Sequence, residues 1–146
     1  MKRIVTLCAI TLLFPALSAA HEGATGIVKE RMDVMEGMAA EIKAINRSVE
    51  ANRNLSQIAD RAAAIRATSR RIPALFPQGS LDAPTTAKPA IWQEWDRFQM
   101  LAGDLGTVAD ALAAAAASGD PKRVAERAAA VNRACLSCHA DYRGTR

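Results

Sequence analysis

Apolar residues recur along this chain in alternating steps of three and four, the spacing of one face of an α-helix. Val28, Arg31, Met35, Met38, Ile42, Ile45 and Val49 form the first such stripe, which predicts a helix from Gly26 to Ala51. Leu55, Ile58, Ala62, Ile65 and Ile72 predict a second, from Leu55 to Ile72. Ile91, Trp95, Phe98, Ala102, Leu105, Ala109 and Leu112 predict a third, beginning at Pro89 or Ala90 and reaching Ala117. The fourth opens at Asp120-Pro121, an N-cap followed by proline in the first helical position. Its inner face continues through Val124, Ala128, Val131, Cys135, Cys138 and Tyr142. Between the second and third stripes, residues 73–89 hold four prolines and Gly79, which marks a long crossover loop. The other connections are short, so neighbouring helices run antiparallel. The expectation is an all-α, up-and-down antiparallel four-helix bundle.

The N-terminus reads differently. Lys2 and Arg3 precede an apolar run from Ile4 to Leu17, and Ser18-Ala19-Ala20 supplies small residues for cleavage. That order is the signature of a secretory signal peptide, assigned to residues 1–20. The run is shorter than the ~20 apolar residues that span a bilayer, so no stable membrane anchor is expected. No later segment reads as apolar enough to cross a membrane. Residues 21–146 then form one domain with one core.

Composition supports helices, being rich in Ala and only 4% aromatic. Removing Lys2 and Arg3 from 19 basic and 15 acidic residues leaves 17 against 15, a formal charge of +2. Such a balance gives no reason to expect nucleic acid. Cys8 leaves with the signal peptide, so two cysteines remain, three positions apart.

Those two belong to Cys135-Leu136-Ser137-Cys138-His139. Thiols at i and i+3 share one side of a helix, so both reach the vinyl groups of one porphyrin, and the adjacent histidine faces the iron. This is the pattern of c-type haem attachment. A thioredoxin-type dithiol needs a strand leading into its helix, and this motif sits at the far end of a helix. A structural zinc site needs four ligands, and His21 is the one other histidine. A disulfide across one helical turn leaves His139 without a purpose.

Two more residues on the first stripe bear on a haem. Arg31 puts a charge on a core-facing position, which is costly without a partner. A haem propionate, bound in bidentate fashion, supplies one; snorkelling to water at the helix end is the competing account. Met35 lies one turn further on. Methionine at helical spacing commonly fills core gaps, yet a haem held by the fourth helix turns its other face to a neighbouring helix. Met35, and after it Met38, are the candidates for a sixth ligand.

Several of these residues together resemble class II c-type cytochromes, the cytochrome c′ family. They are Ile27-x-x-x-Arg31-x-x-x-Met35, Arg71-Ile72-Pro73 with Phe76-Pro77-x-Gly79, Ile91-Trp92, and Cys135-x-x-Cys138-His139-x-x-Tyr142-Arg143. The resemblance covers essentially all of residues 21–146. It implies a four-helix bundle, one covalent haem c and a periplasmic location. High-spin members carry a non-ligating apolar residue four after the arginine, and their open iron binds NO or CO. Low-spin members carry a methionine there, as Met35 stands here. Met32 replaces the glutamine that often follows the arginine.

The resulting expectation is a periplasmic monohaem electron carrier. His139 and Met35 ligate the iron, Cys135 and Cys138 hold the haem, and Arg31 binds a propionate. The alternative is a five-coordinate protein that binds or sequesters NO or CO. No Ser/His/Asp or paired-carboxylate arrangement is present, and no enzymatic activity is expected. The partners expected are periplasmic redox proteins. Many relatives form homodimers through helix faces, but no unmatched apolar stripe in this chain decides the point.

Overall fold

The computed structural model describes residues 23–145. The predicted signal peptide and His21 lie outside them. Five helices follow in order: α1 Gly26–Glu50, α2 Gln57–Ser69, α3 Ala90–Gln93, α4 Trp95–Ser118 and α5 Pro121–Tyr142. A 3-10 turn, Pro73–Leu75, opens the long loop. The four long helices form the antiparallel bundle that the stripes predict.

Local chemistry sets the turns. Asn52 and Asn54, with φ of 46° and 57°, carry the chain from α1 to α2 in the left-handed region that asparagine tolerates. Gly119, at φ 71°, ends α4 in a left-handed cap. Asp120 then caps α5, its carboxylate accepting from the backbone N–H of Lys122 and Arg123, with Pro121 in the first turn. So short a reversal forces α4 and α5 to run antiparallel.

The third predicted helix differs from expectation. It breaks at Glu94, where φ is −122° and ψ is 43°, separating the one-turn α3 from α4. Tertiary bonds hold both sides of the break. Trp92 Nε1 donates to the Phe76 carbonyl at 2.9 Å, while Tyr142 Oη donates to Glu94 Oε2 at 2.9 Å. Side-chain periodicity carries no sign of such a backbone kink.

The core contains most of the predicted stripe residues. Ile58, Ala62, Ile65, Ala109, Leu112, Val124 and Val131 are buried, and the cluster extends to Phe98 and Tyr142. Two buried polar residues were missed, Ser80 in the long loop and Ser69, whose hydroxyl donates to the Arg66 carbonyl at 2.8 Å. Ser69 lies where α2 crosses α4. A Cβ added at Gly106 would sit 2.8 Å from Ser69 Oγ, so the missing side chain is what allows this approach. The expectation that nothing beyond the N-terminus could cross a membrane is corrected for α4. Trp95–Ser118 is long and apolar enough by length and composition. Its apolar character comes from the alanines and leucines that it packs against α2 and α5.

Residues 73–89 cover one end of the bundle as well as crossing it. Ala87 pairs with Arg143 in an isolated antiparallel bridge. Lys88 N–H donates to the Tyr142 carbonyl at 3.0 Å, and Gly144 N–H to the Thr86 carbonyl at 2.7 Å. The loop is thereby fastened to the end of α5.

Candidate functional site

A cavity of about 420 Å3 lies between α1, α4, α5 and this loop. Met35, Met38 and Ile42 face it from α1, Leu101, Ala102 and Leu105 from α4, and Pro84 to Ala87 from the loop. From α5 come Ala134, Cys135, Cys138, His139 and Tyr142. Every residue that the sequence singles out for chemistry therefore borders one space.

Helical geometry accounts for the α5 contribution. Cys135, Cys138 and Tyr142 continue the buried stripe of Val124, Ala128 and Val131, so both thiols turn inward. They are half-buried and free. Burial pushes both thiols up, Cys138 to about 11, with the Cys135 and Asp141 charges adding to the Cys138 rise. His139 is lowered, first by burial and then by the nearby Arg143 cation. Its imidazole is held toward the neutral form, which leaves a ring nitrogen lone pair available to a metal.

Aromatic rings stiffen the inner end of the cavity. Phe98 lies at the centre, 5.0 Å from Phe76 and 5.3 Å from Tyr142 in edge-on contacts, and 5.6 Å from Trp95 in a stacked one. Offset and edge-on pairs of this kind are the favoured arrangements of aromatic quadrupoles. The Tyr142 hydroxyl ends in a surface network. Arg97 donates to Glu94 Oε2 at 3.0 Å and to Asp141 Oδ2 at 2.7 Å, joining the start of α4 to the end of α5. Sequence reading did not assign Phe76, Phe98 or Tyr142 to the site; the core-stripe positions of Phe98 and Tyr142, and the place of Phe76 in the Phe76-Pro77-x-Gly79 motif, are the signals that were available.

Arg31 is 4% exposed, so it does not snorkel to water. Its Nε donates to the Leu75 carbonyl at 3.0 Å. Nη1 donates to the Ser80 carbonyl at 3.1 Å and to Thr85 Oγ1 at 3.0 Å, and Nη2 to Ser80 Oγ at 2.6 Å. The guanidinium also stands 4.1 Å above the Phe76 ring. The buried charge is thus met by loop dipoles and an aromatic face. Four of its five N–H groups are engaged, which leaves one for a further acceptor. Burial lowers its pKa, though a guanidinium stays charged at any physiological pH.

Such a space suits a flat, mostly apolar macrocycle. It offers an aliphatic wall, two thiols on one face, a neighbouring imidazole and thioethers on the opposite helix. Among the described residues, no group of three or more His, Cys, Asp or Glu is placed to hold a metal ion.

Comparison with known proteins agrees. The family model described as cytochrome C′ matches residues 26–143. A cytochrome c′ from Rhodospirillum rubrum is 29% identical over 145 residues, covering 98% of this chain and 99% of its own. A cytochrome c-556 from Agrobacterium fabrum is 31% identical over 134 residues, 90% of each chain. The crystal structure of cytochrome c′ from Thermochromatium tepidum superposes with a TM-score of 0.75 at 33% identity, covering 82% of this chain and 95% of that one. With the match running from the first residue of α1 to the end of α5, this chain belongs to the cytochrome c′ family of c-type cytochromes, and its cofactor is haem c.

Proposed function

We propose that this protein is a periplasmic electron carrier, with one haem c attached through Cys135 and Cys138 and ligated by His139 and Met35. Export rests on the signal-like residues 1–20. When bound, haem c supplies a one-electron iron centre. The residues of this chain do the rest. Cys135 and Cys138 fix its position covalently, and His139 ligates from α5. The aliphatic wall excludes water, and the remaining Arg31 N–H offers a donor to a propionate. No residue here is assigned a catalytic acid or base role.

The observation that carries this reading is Met35 on the cavity wall opposite α5, half-buried and flanked by packed aliphatic side chains. A thioether is a soft donor suited to iron in both oxidation states, and His/Met ligation raises the potential relative to other axial pairs. A competing reading has a specific basis too, since the family relatives include cytochromes c′ as well as a cytochrome c-556. Under it, the iron is five-coordinate and binds NO or CO.

Absorption spectra of oxidised and reduced holoprotein separate the two. We expect a low-spin haem in both states and slow CO binding. Met35→Leu should turn it high-spin, remove the thioether-to-iron charge-transfer band and admit CO rapidly. Met38→Leu should leave ligation intact. A wild type that is already high-spin, with CO binding as fast as in Met35→Leu, replaces the carrier with the gas-binding reading.

A further inference from the structure

Asn46 on α1 and Asn132 on α5 exchange amide hydrogen bonds across the open seam. Asn132 Nδ2 donates to Asn46 Oδ1 at 3.0 Å, and Asn46 Nδ2 donates back to Asn132 Oδ1 at 3.4 Å. Both residues are half-buried. The stripe residues beside them are aliphatic: Ile45 and Val49 on α1, Ala128 and Val131 on α5. Aliphatic contacts tolerate small rotations and slides, whereas a reciprocal amide pair is satisfied at one register. A single polar residue fixes register in a coiled coil by the same means, at some cost in stability.

The place of the pair matters as much as its chemistry. The α1 wall of the cavity ends at Ile42, one turn before Asn46, and its α5 wall begins at Ala134, two residues after Asn132. The amide pair therefore closes the seam at the point from which the cavity opens. Met35 lies eleven positions before Asn46, and His139 seven positions after Asn132. At 3.6 residues per turn these are close to three turns and two turns, so each asparagine shares a helix face with the ligand candidate on its own helix. Other ties of α1 lead elsewhere, from Arg31 to the loop and from Glu41 to Arg61 of α2.

We propose that Asn46 and Asn132 are positioning residues, whose amide pair sets the rotation of α1 against α5 so that the Met35 sulfur faces the iron. The pair thereby governs how firmly the sixth position is closed. Neither asparagine lines the cavity, so the effect passes through helix register and not through contact with the haem. With the pair removed, α1 stays packed on α2, but Met35 presents its sulfur for a smaller share of the time. This inference rests on the reading of Met35 as a ligand.

The test uses reduced holoprotein and carbon monoxide, which binds iron when the sixth position is open. Asn46→Leu with Asn132→Leu removes both amides at similar side-chain volume and leaves no polar partner orphaned, so its denaturant midpoint should stay near wild type. Its CO association should nevertheless rise on the order of tenfold, following the larger open fraction. Its reduction potential should fall, since thioether ligation holds the potential up. Asn46→Leu alone should speed CO binding to a similar extent and also lower the midpoint, because Asn132 is left unpaired. Ile65→Ala weakens the closed seam without touching the pair, and its CO rate should match wild type. A double variant that binds CO at the wild-type rate overturns the positioning role, whatever its midpoint, and leaves Met35 as the ligand. An Ile65→Ala protein whose CO rate rises equally also overturns it, because general loosening then accounts for the effect. A wild type that is already high-spin and fast with CO removes Met35 from the iron, and the positioning role falls with it.

Discussion

The two long seams of this bundle are built to opposite rules. Where α2 crosses α4, Ala62, Ser69, Gly106 and Ala109 let the backbones approach until a single Cβ would collide. Where α1 faces α5, Met35, Ile42, Cys135 and Cys138 are half-buried around the cavity, and one direct link is the pair of hydrogen bonds between Asn46 and Asn132. The first seam is protein packed on protein. The second is shaped around a cofactor. The same four helices therefore separate the requirements of folding from those of binding.

Substitutions can show how complete that separation is. The largest effect belongs to the open seam: Cys135→Ala with Cys138→Ala should make the haem fully extractable by acid and organic solvent, whereas wild type keeps it. Haem released from wild type under those conditions would break the assignment of both cysteines. Ile65→Ala, in the closed seam, should cost about 3 kcal/mol, as large-to-small changes in packed cores do. Denaturant unfolding should find that loss in apoprotein and holoprotein alike. Arg31→Leu leaves two buried carbonyls of the loop without donors and should cost about 2 kcal/mol. It should also shift the reduction potential if the remaining N–H serves a propionate; an unchanged potential would confine Arg31 to the loop. Gly106→Val should cost about 2 kcal/mol by overpacking against Ser69, with no change in the haem spectrum. A spectral change in Gly106→Val would mean that the two seams are coupled.

The sequence made one of these seams more legible than the other. Stripes of spacing three and four located the helices, and the Cys135 to His139 motif pointed to the cofactor, because both signals are local. Arg31 was recognisable as a buried charge in need of a partner. That partner was hidden, since Leu75, Ser80 and Thr85 lie 44 to 54 residues away and two of the acceptors are main-chain carbonyls. Ser69 was passed over because a small polar residue carries no hydrophobic signal, although the tight seam depends on its size. The break at Glu94 went unseen for a related reason: the bonds from Trp92 and Tyr142 that hold it come from tertiary structure. Glu30–Arg71, Glu41–Arg61 and Asp110–Arg66 likewise tie neighbouring elements at the surface, though exposed pairs of this kind contribute little.

The bridge between Ala87 and Arg143 also sets an order in time. Its flanking bonds join Lys88 to Tyr142 and Thr86 to Gly144, so the loop is secured by the far end of α5. Contacts so distant in sequence close late, after local helices have formed. Until α5 has docked, the loop has lost these fastenings and the cavity lacks one wall, which leaves the Cys135 and Cys138 thiols within reach. If the clasp closes only after attachment, shortening the chain to Tyr142 should leave haem attachment intact while making residues 77–88 the first site of proteolytic cleavage.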